Sequence, residues 1–315
     1  MFINISLLIL SIATLVFGAE RFVDASSKIA KNFGISDLFV GLTIVALGTS
    51  APEIFVAISS IVNSVESVSI GTIVGSNITN IALIFGLSCF AVNQIKNKFS
   101  LESLIPFLLS FLLFLFALKD LKFSLIESIG FIAILFYFLM ILSKERSNVM
   151  EVVSGSADML KNSIILVIGL ILLVVGSNFA VIYAEKFALS IGISEVIIGL
   201  TILALGTSLP ELAATMSAII KGKNQMVIGN IIGSNILNLV IIVPIIGIFS
   251  SAVMPVELWE RDSTPLIILT IAFTLIMLFL SRAQMPKYLG FLLGFGFVGF
   301  YIIYILNLIN LISVF

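Results

Sequence analysis

Gly41-Leu-Thr-Ile-Val-Ala-Leu-Gly-Thr-Ser-Ala-Pro-Glu53 is the stretch on which the fold turns, because the chain contains it twice. A shift of 158 residues lays it on Gly199-Leu-Thr-Ile-Leu-Ala-Leu-Gly-Thr-Ser-Leu-Pro-Glu211, identical at eleven of thirteen positions. Without a gap, the same shift lays Gly71-Thr-Ile-Val-Gly-Ser-Asn-Ile-Thr-Asn80 on Gly229-Asn-Ile-Ile-Gly-Ser-Asn-Ile-Leu-Asn238, identical at seven of ten. It also carries Gly18 onto Gly176 and Gly34-Ile-Ser36 onto Gly192-Ile-Ser194. Agreement at special residues over one fixed offset marks a duplicated half, not the chance likeness of apolar helices.

What surrounds the repeat is overwhelmingly apolar. Of 315 residues, 60% are hydrophobic and 10% charged, where soluble domains carry about 45–50% and about 25%. That excludes a soluble globular fold and also disorder, which needs low apolar content. A net charge of −1 gives no electrostatic case for nucleic acid. The composition is that of a polytopic membrane protein, with the lipid bilayer as its surroundings and no obligate protein partner evident. The single cysteine, Cys89, cannot close an intrachain disulfide. The absence of histidine removes the commonest transition-metal ligand and the usual near-neutral proton relay. Zinc, copper and haem sites, and cofactors in general, are not expected.

At about 20 residues per spanning helix, the apolar runs predict ten helices, near 3–19, 38–62, 69–92, 101–118, 123–143, 162–183, 195–220, 226–250, 264–281 and 288–312. The first run lacks a basic leader and has the bulky Phe17 near its end, so it reads as helix one and not as a cleaved signal. The chain then divides into an N-terminal repeat, 1–143, a polar linker, 144–161, and a C-terminal repeat, 162–315, with the motif regions at 41–80 and 199–238. Five is an odd number, so the second half must enter the membrane in the opposite sense to the first. The predicted fold class is an all-α membrane protein of two inverted-topology five-helix repeats, an architecture of secondary transporters whose substrate site lies near the midplane. Twelve Lys and Arg fall in the loops after helices one, three, five, seven and nine, and four on the other side. The positive-inside rule then puts the linker in the cytoplasm and both termini outside the cell membrane.

Nearly all of the charge is therefore loop and topology signal, and two glutamates remain inside. An ionisable group in a span costs about 2.5–3.5 kcal/mol even on the insertion scale. No Lys or Arg within a span is placed to neutralise Glu53 or Glu211, which leaves a bound cation or a proton as the counter-charge. Pro52 and Pro210 remove a backbone donor and clash with the carbonyls of Gly48 and Gly206, so each helix should break within Gly-Thr-Ser-x-Pro. Freed carbonyls at depth are tolerated where they line a cavity or meet a ligand. Thr49, Ser50, Thr207 and Ser208 add hydroxyls at the same breaks. Ser76 with Asn80, and Ser234 with Asn238, are four residues apart and share a helix face. Asn77 and Asn235, one step from each serine, are expected to make interhelical or backbone hydrogen bonds. Gly71 with Gly75, and Gly229 with Gly233, are spaced for close helix packing. The donor set is all oxygen, which suits calcium better than soft metals or magnesium. Two ionised glutamates balance one divalent ion, and monovalent ions could occupy the same oxygens in larger number.

At these residues the chain resembles the calcium/cation antiporter superfamily, and within it the sodium/calcium exchanger branch in its compact prokaryotic form. The features that match are Gly48-Thr-Ser-Ala-Pro-Glu53 with Gly75-Ser-Asn-Ile-Thr-Asn80, and Gly206-Thr-Ser-Leu-Pro-Glu211 with Gly233-Ser-Asn-Ile-Leu-Asn238. The resemblance implies a cluster of four ion sites centred on Glu53 and Glu211. Thr49 and Thr207 would lend carbonyls to calcium. Ala46, Ala204, Ser50, Ser208, Ser76 and Ser234 would complete the flanking sodium sites, and Asn80 and Asn238 the middle one. Potassium-dependent relatives carry Asp where this chain has Asn238, so the resemblance implies potassium-independent exchange. It also implies alternating access, with Ca²⁺ or about three Na⁺ filling the cluster and one net charge crossing per cycle. Helices one and six, sparse in polar residues, would slide against the other eight. The nearest alternative is a proton-coupled calcium antiporter, since either glutamate could take a proton when the cation leaves. An intramembrane hydrolase lacks an accompanying nucleophile here, and a passive channel would show unitary currents in place of countertransport.

Overall fold

The computed structural model describes residues 2–63, 66–91, 101–146, 156–191, 204–250, 253–282 and 286–309. The described residues are helical almost throughout. Seven helices are long and apolar enough to cross a membrane, or eight if the bent pair Asp37–Thr49 and Ala51–Val62 counts as one span. Two shorter apolar helices, Leu104–Ala117 and Leu209–Ile220, accompany them. The molecule is a multi-pass membrane protein. In chain order the helices are α1 (Phe2–Asn32), α2 (Asp37–Thr49), α3 (Ala51–Val62), α4 (Glu66–Thr79, continued through a π-helical segment Asn80–Phe85 into Gly86–Ala91), α5 (Leu104–Ala117) and α6 (Leu125–Arg146). They continue as α7 (Ser156–Ser190), α8 (Leu209–Ile220, preceded by the turn Ala204–Gly206), α9 (Asn224–Leu237, then a π-helical segment Asn238–Ile242 and Val243–Phe249), α10 (Ser263–Leu280) and α11 (Lys287–Leu308).

The sequence offset reappears in the elements. Adding 158 to the bounds of α3 gives those of α8, and adding it to Glu66–Thr79 gives Asn224–Leu237. The π-helical segments begin at Asn80 and Asn238, again one offset apart.

Helix one is longer than the sequence reading allowed. It runs to Asn32, so Arg21, Lys28 and Lys31 are helical and not loop residues. At 1.5 Å per residue its 31 residues reach about 46 Å, well beyond a hydrocarbon core of about 30 Å. Once its backbone is satisfied internally, a helix leaving the membrane continues until something stops it. The stop is Gly34, whose φ of 63° lets the Gly34 N–H reach the Lys31 carbonyl (3.1 Å) and the Ile35 N–H the Ala30 carbonyl (2.8 Å), a Schellman cap. α6 and α7 likewise extend into the expected linker, leaving 147–155 outside the described residues.

α1 and α7 pack antiparallel along their length, because glycines let the backbones touch. A Cβ added at Gly169 would stand 2.6 Å from the Phe22 nitrogen, and one at Gly176 2.7 Å from the Leu15 Cα. Both helices leave large apolar side chains such as Ile9, Phe17, Ile168 and Ile171 exposed, as lipid-facing helices do. α4 and α9 are the opposite case: every residue of α9 from Met226 to Leu237 is buried. Gly229 and Gly233 pack against Leu38, Leu42 and Ala46 of α2, as their spacing predicted. A Cβ at Gly71 or Gly75 meets nothing within 4 Å. Of the stretch that the offset would set opposite them, 196–204, all but Ala204 lies outside the described residues.

Two further acidic side chains are buried beyond the pair singled out from the sequence. Glu127 accepts from the Ser124 backbone N–H (2.7 Å) and hydroxyl (2.8 Å), and Asp262 takes two bonds from Arg261 (2.7 and 2.8 Å) and one from the Tyr304 hydroxyl (3.2 Å). Both sit at helix beginnings with local donors, so burial leaves no charge unanswered there. Glu53 and Glu211 differ in this respect.

Candidate ion-binding site

Pro52 and Pro210 break their helices where the motif predicted. Ser50 and Ser208 leave helical geometry with nearly the same backbone angles, φ/ψ of −82°/4° and −88°/3°, and a new helix starts at the next residue. Each proline falls in the first turn of that new helix, where the missing N–H costs nothing. α2 and α3 meet at 42°. Glu53 and Glu211 therefore occupy the first turns of α3 and α8, where the helix dipole favours negative charge. In the second half the Gly206 carbonyl freed by Pro210 accepts the Ser177 hydroxyl of α7 at 3.1 Å. The offset maps Ser177 onto Ala19, so the first half lacks that hydroxyl.

The two breaks and the two Ser/Asn faces converge. Glu53 and Glu211 are both 1% exposed. Ser76 of α4 donates to Glu53 Oε1 at 3.3 Å within the first half, and Ser50 donates across the halves to Glu211 Oε1 at 3.1 Å. Ser208 donates to the Ser76 hydroxyl at 3.1 Å. Asn238 donates through Nδ2 to Ser76 Oγ and to Asn77 Oδ1, both at 3.2 Å. Asn77 thus makes the interhelical bond expected of it, and Asn235 donates to the Ile231 carbonyl at 2.7 Å. Thr49 is buried with its hydroxyl 3.3 Å from the Ala46 carbonyl. Ala46 is fully buried, and its carbonyl also accepts the Ser50 N–H at 2.9 Å. Ala204 lies in the turn before the second break.

The chemistry of this cluster lies in what it leaves unmade. Twelve buried side-chain atoms among the described residues have no hydrogen-bond partner. Eight belong to the duplicated motifs: Glu53 Oε2, Glu211 Oε2, both amide atoms of Asn80, Asn235 Oδ1, Asn238 Oδ1, Ser234 Oγ and Thr207 Oγ1. A buried orphan costs about 1–3 kcal/mol, more if charged, so a concentration of orphans in one pair of motifs is an unfilled demand. Seven of the eight are oxygens, and no ion pair among the described residues involves Glu53 or Glu211. Hard cations answer that demand.

The family profile described as sodium/calcium exchanger protein matches residues 3–144 and 161–310. The chain belongs to the sodium/calcium exchanger protein family. It is 30% identical over 312 residues to the inner membrane protein YrbG of Escherichia coli, covering 95% of each chain. It is 42% identical over 86 residues to the sodium/calcium exchanger MaX1 of Methanosarcina acetivorans, a match to 27% of this chain and 25% of that one. Its fold is similar to that of the sodium-calcium exchanger NCX_Mj soaked with Na⁺ and Sr²⁺, with a TM-score of 0.81 at 30% identity over 96% of this chain and 97% of that one.

One participant escaped the sequence reading. Asn230 of α9 takes the Thr49 hydroxyl at its Oδ1 (3.4 Å), while its Nδ2 donates to Thr215 Oγ1 (3.0 Å) and reaches the Glu211 carbonyl (3.5 Å). It joins a break of the first half to a break of the second. The signal was present in the spacing: Asn230, Ser234 and Asn238 recur every four residues on one face, as do Thr72, Ser76 and Asn80.

Proposed function

We propose that the chain is a secondary active antiporter that exchanges Na⁺ for Ca²⁺ across the cell membrane by alternating access. The observation that carries this reading is the pair of buried glutamates, one from each half, each with an unpartnered oxygen, in motifs that hold further orphaned oxygens. In this reading Glu53 and Glu211 coordinate Ca²⁺ with the carbonyls of Thr49 and Thr207. Na⁺ takes oxygens of Ala46, Ala204, Ser50, Ser208, Ser76 and Ser234, and Asn80 and Asn238 complete the middle position. Two carboxylates and no third acid fit exchange that needs no K⁺, since the amide of Asn238 brings no further charge to balance. About three Na⁺ against one Ca²⁺ moves one net charge, worth about 2.3 kcal/mol per 100 mV.

The ten-span, inverted arrangement supports alternating access. The seven long helices, the bent pair and the two shorter helices together supply enough elements for ten crossings. Five per half put the repeats in opposite senses, with 1–143 and 162–315 as the two units, the linker 144–161 cytoplasmic and both termini outside. α1 and α7, joined by glycine contacts and otherwise lipid-facing, are the elements free to slide. Ser177 and the Gly206 carbonyl connect that pair to the second break.

The test is uptake of radiolabelled Ca²⁺ into proteoliposomes with Na⁺, K⁺ and H⁺ gradients imposed separately. An outward Na⁺ gradient should drive uptake, a K⁺ gradient should not, and uptake should respond to membrane voltage. Uptake driven by the pH gradient alone would replace this reading with H⁺/Ca²⁺ antiport.

A further inference from the structure

Every ion pair between helices among the described residues lies in one place, where the end of α8 meets α1. Lys221 Nζ stands 2.7 Å from Asp24 Oδ1 and 3.7 Å from Glu20 Oε1, and it donates to the Glu20 carbonyl at 3.1 Å. Lys223 Nζ stands 3.6 Å from the same Asp24 oxygen and 3.4 Å from the Val23 carbonyl. The turn that aims both lysines is built for the purpose. Gly222, at φ 68°, closes a second Schellman cap, its N–H on Ile219 (2.9 Å) and the Lys223 N–H on Ala218 (2.8 Å). Lys221 and Lys223 thereby leave the helix end side by side, and their side chains are only 18% and 16% exposed. Burial holds the Lys223 ammonium below the usual lysine range, with Asp24 and Asp37 opposing the shift.

The repeat makes this contact informative. The offset maps Lys221, Gly222 and Lys223 onto Asn63, Ser64 and Val65, and maps Glu20 and Asp24 onto Asn178 and Ile182. All four charges are absent from the other half, on both partners at once. The ion site is built nearly alike in the two halves, and this contact is built in one only. It ties α1, one of the two sliding helices, to the helix whose first turn carries Glu211.

We propose that Asp24, Lys221 and Lys223 form a one-sided latch that positions α1, and α7 with it, and that must open each time the pair slides. The latch makes the two access states of a duplicated transporter unequal in energy. It favours the arrangement seen here, and its opening is a step through which every cycle passes in one direction and closes in the other. Ionic screening weakens such partly exposed pairs, so the bias falls with ionic strength even when the added salt contains no Na⁺ or Ca²⁺. This inference rests on the alternating-access reading for its role, although the latch itself can be measured without transport.

The experiment is a distance measurement by double electron–electron resonance in lipid nanodiscs, with spin labels at Lys31→Cys and Ile220→Cys in a Cys89→Ala background. Wild-type latch residues should give mainly the short distance of the structure. Asp24→Asn should shift the ratio of the two populations about tenfold toward the longer distance, and high choline chloride on the wild type, with no Na⁺ or Ca²⁺ added, should move it the same way. Asp24→Lys with Lys221→Asp should restore the short distance. Asn63→Lys with Ile182→Asp, which builds the missing contact in the other half and so favours the opposite access state, should also move the ratio toward the longer distance, and it keeps the idea testable if Asp24→Asn fails to fold. An unchanged distribution in Asp24→Asn or in the mirror variant would overturn the latch. Flux measured on the same proteins separates the two readings: wild type that shows the shift but no Na⁺-driven Ca²⁺ uptake would keep the latch and remove the exchange.

Discussion

Replacing Glu53 or Glu211 with Gln should move stability and transport in opposite directions. The amide matches the carboxylate in shape, and its oxygen can still accept the Ser76 hydroxyl at Glu53 (3.3 Å) or the Ser50 hydroxyl at Glu211 (3.1 Å). Folding therefore loses no contact. It is relieved of a buried charge that costs about 2.5–3.5 kcal/mol in a span, so the melting temperature should hold or rise. Ion binding loses far more. A carboxylate about 2.4 Å from a divalent ion attracts it by about 14 kcal/mol gross at an effective dielectric of about 20. Desolvation could offset nine-tenths of that and still leave about 1.4 kcal/mol, a tenfold loss in Ca²⁺ affinity. The assays are thermal melting in detergent with and without Ca²⁺, and Na⁺-driven uptake of radiolabelled Ca²⁺. Wild type should be stabilised by Ca²⁺, and the variants should be at least as stable without it, need ten times more of it or beyond for the same stabilisation, and transport at least tenfold more slowly at low Ca²⁺. Melting temperature and flux that fall together would assign the glutamates to packing, and flux within twofold of wild type would refute their role outright.

Three other outcomes are expected. Asn230→Thr, which installs the residue the first half uses at Thr72, should raise the KM for Ca²⁺ about tenfold with a smaller change in maximal rate, because it unties Thr49 from the Glu211 carbonyl; this is read from saturation curves in proteoliposomes. Gly176→Leu drives side-chain atoms into the Leu15 backbone, where a Cβ alone would stand 2.7 Å from Cα. It should separate α1 from α7, lowering the melting temperature and abolishing flux together. Cys89, 4% exposed and the sole cysteine, should resist maleimide in the native protein and react after denaturation, as mass spectrometry would report.

The duplicated motif made the breaks legible because proline acts locally: Pro52 and Pro210 need no distant partner to stop a helix, and Ser50 and Ser208 fall where that logic puts them. The Ser76/Asn80 and Ser234/Asn238 faces were legible for the same reason, since four-residue spacing fixes a face. The partners on those faces were not. Ser50 reaches Glu211, 161 residues away, and not the nearer Glu53, a choice set by how the two halves dock. Asn230 went unnoticed because an amide in an apolar helix looks like any other until its three contacts are seen. Composition misjudged α1 most, since its last turns carry loop-like charge and are helical all the same, up to the cap at Gly34.

The π-helical segments hold a consequence of their own. They begin at Asn80 and Asn238, two buried amides of the duplicated motif, and a third spans Gly41–Val45 beside α9. A π turn carries one residue more than its hydrogen-bond ladder needs. That surplus can pass along the helix, and each residue it passes turns by about 100° while the helix ends stay fixed. Such a passage re-aims Asn80 or Asn238 while every helix keeps its place, a backbone slack that a regular α-helix does not hold.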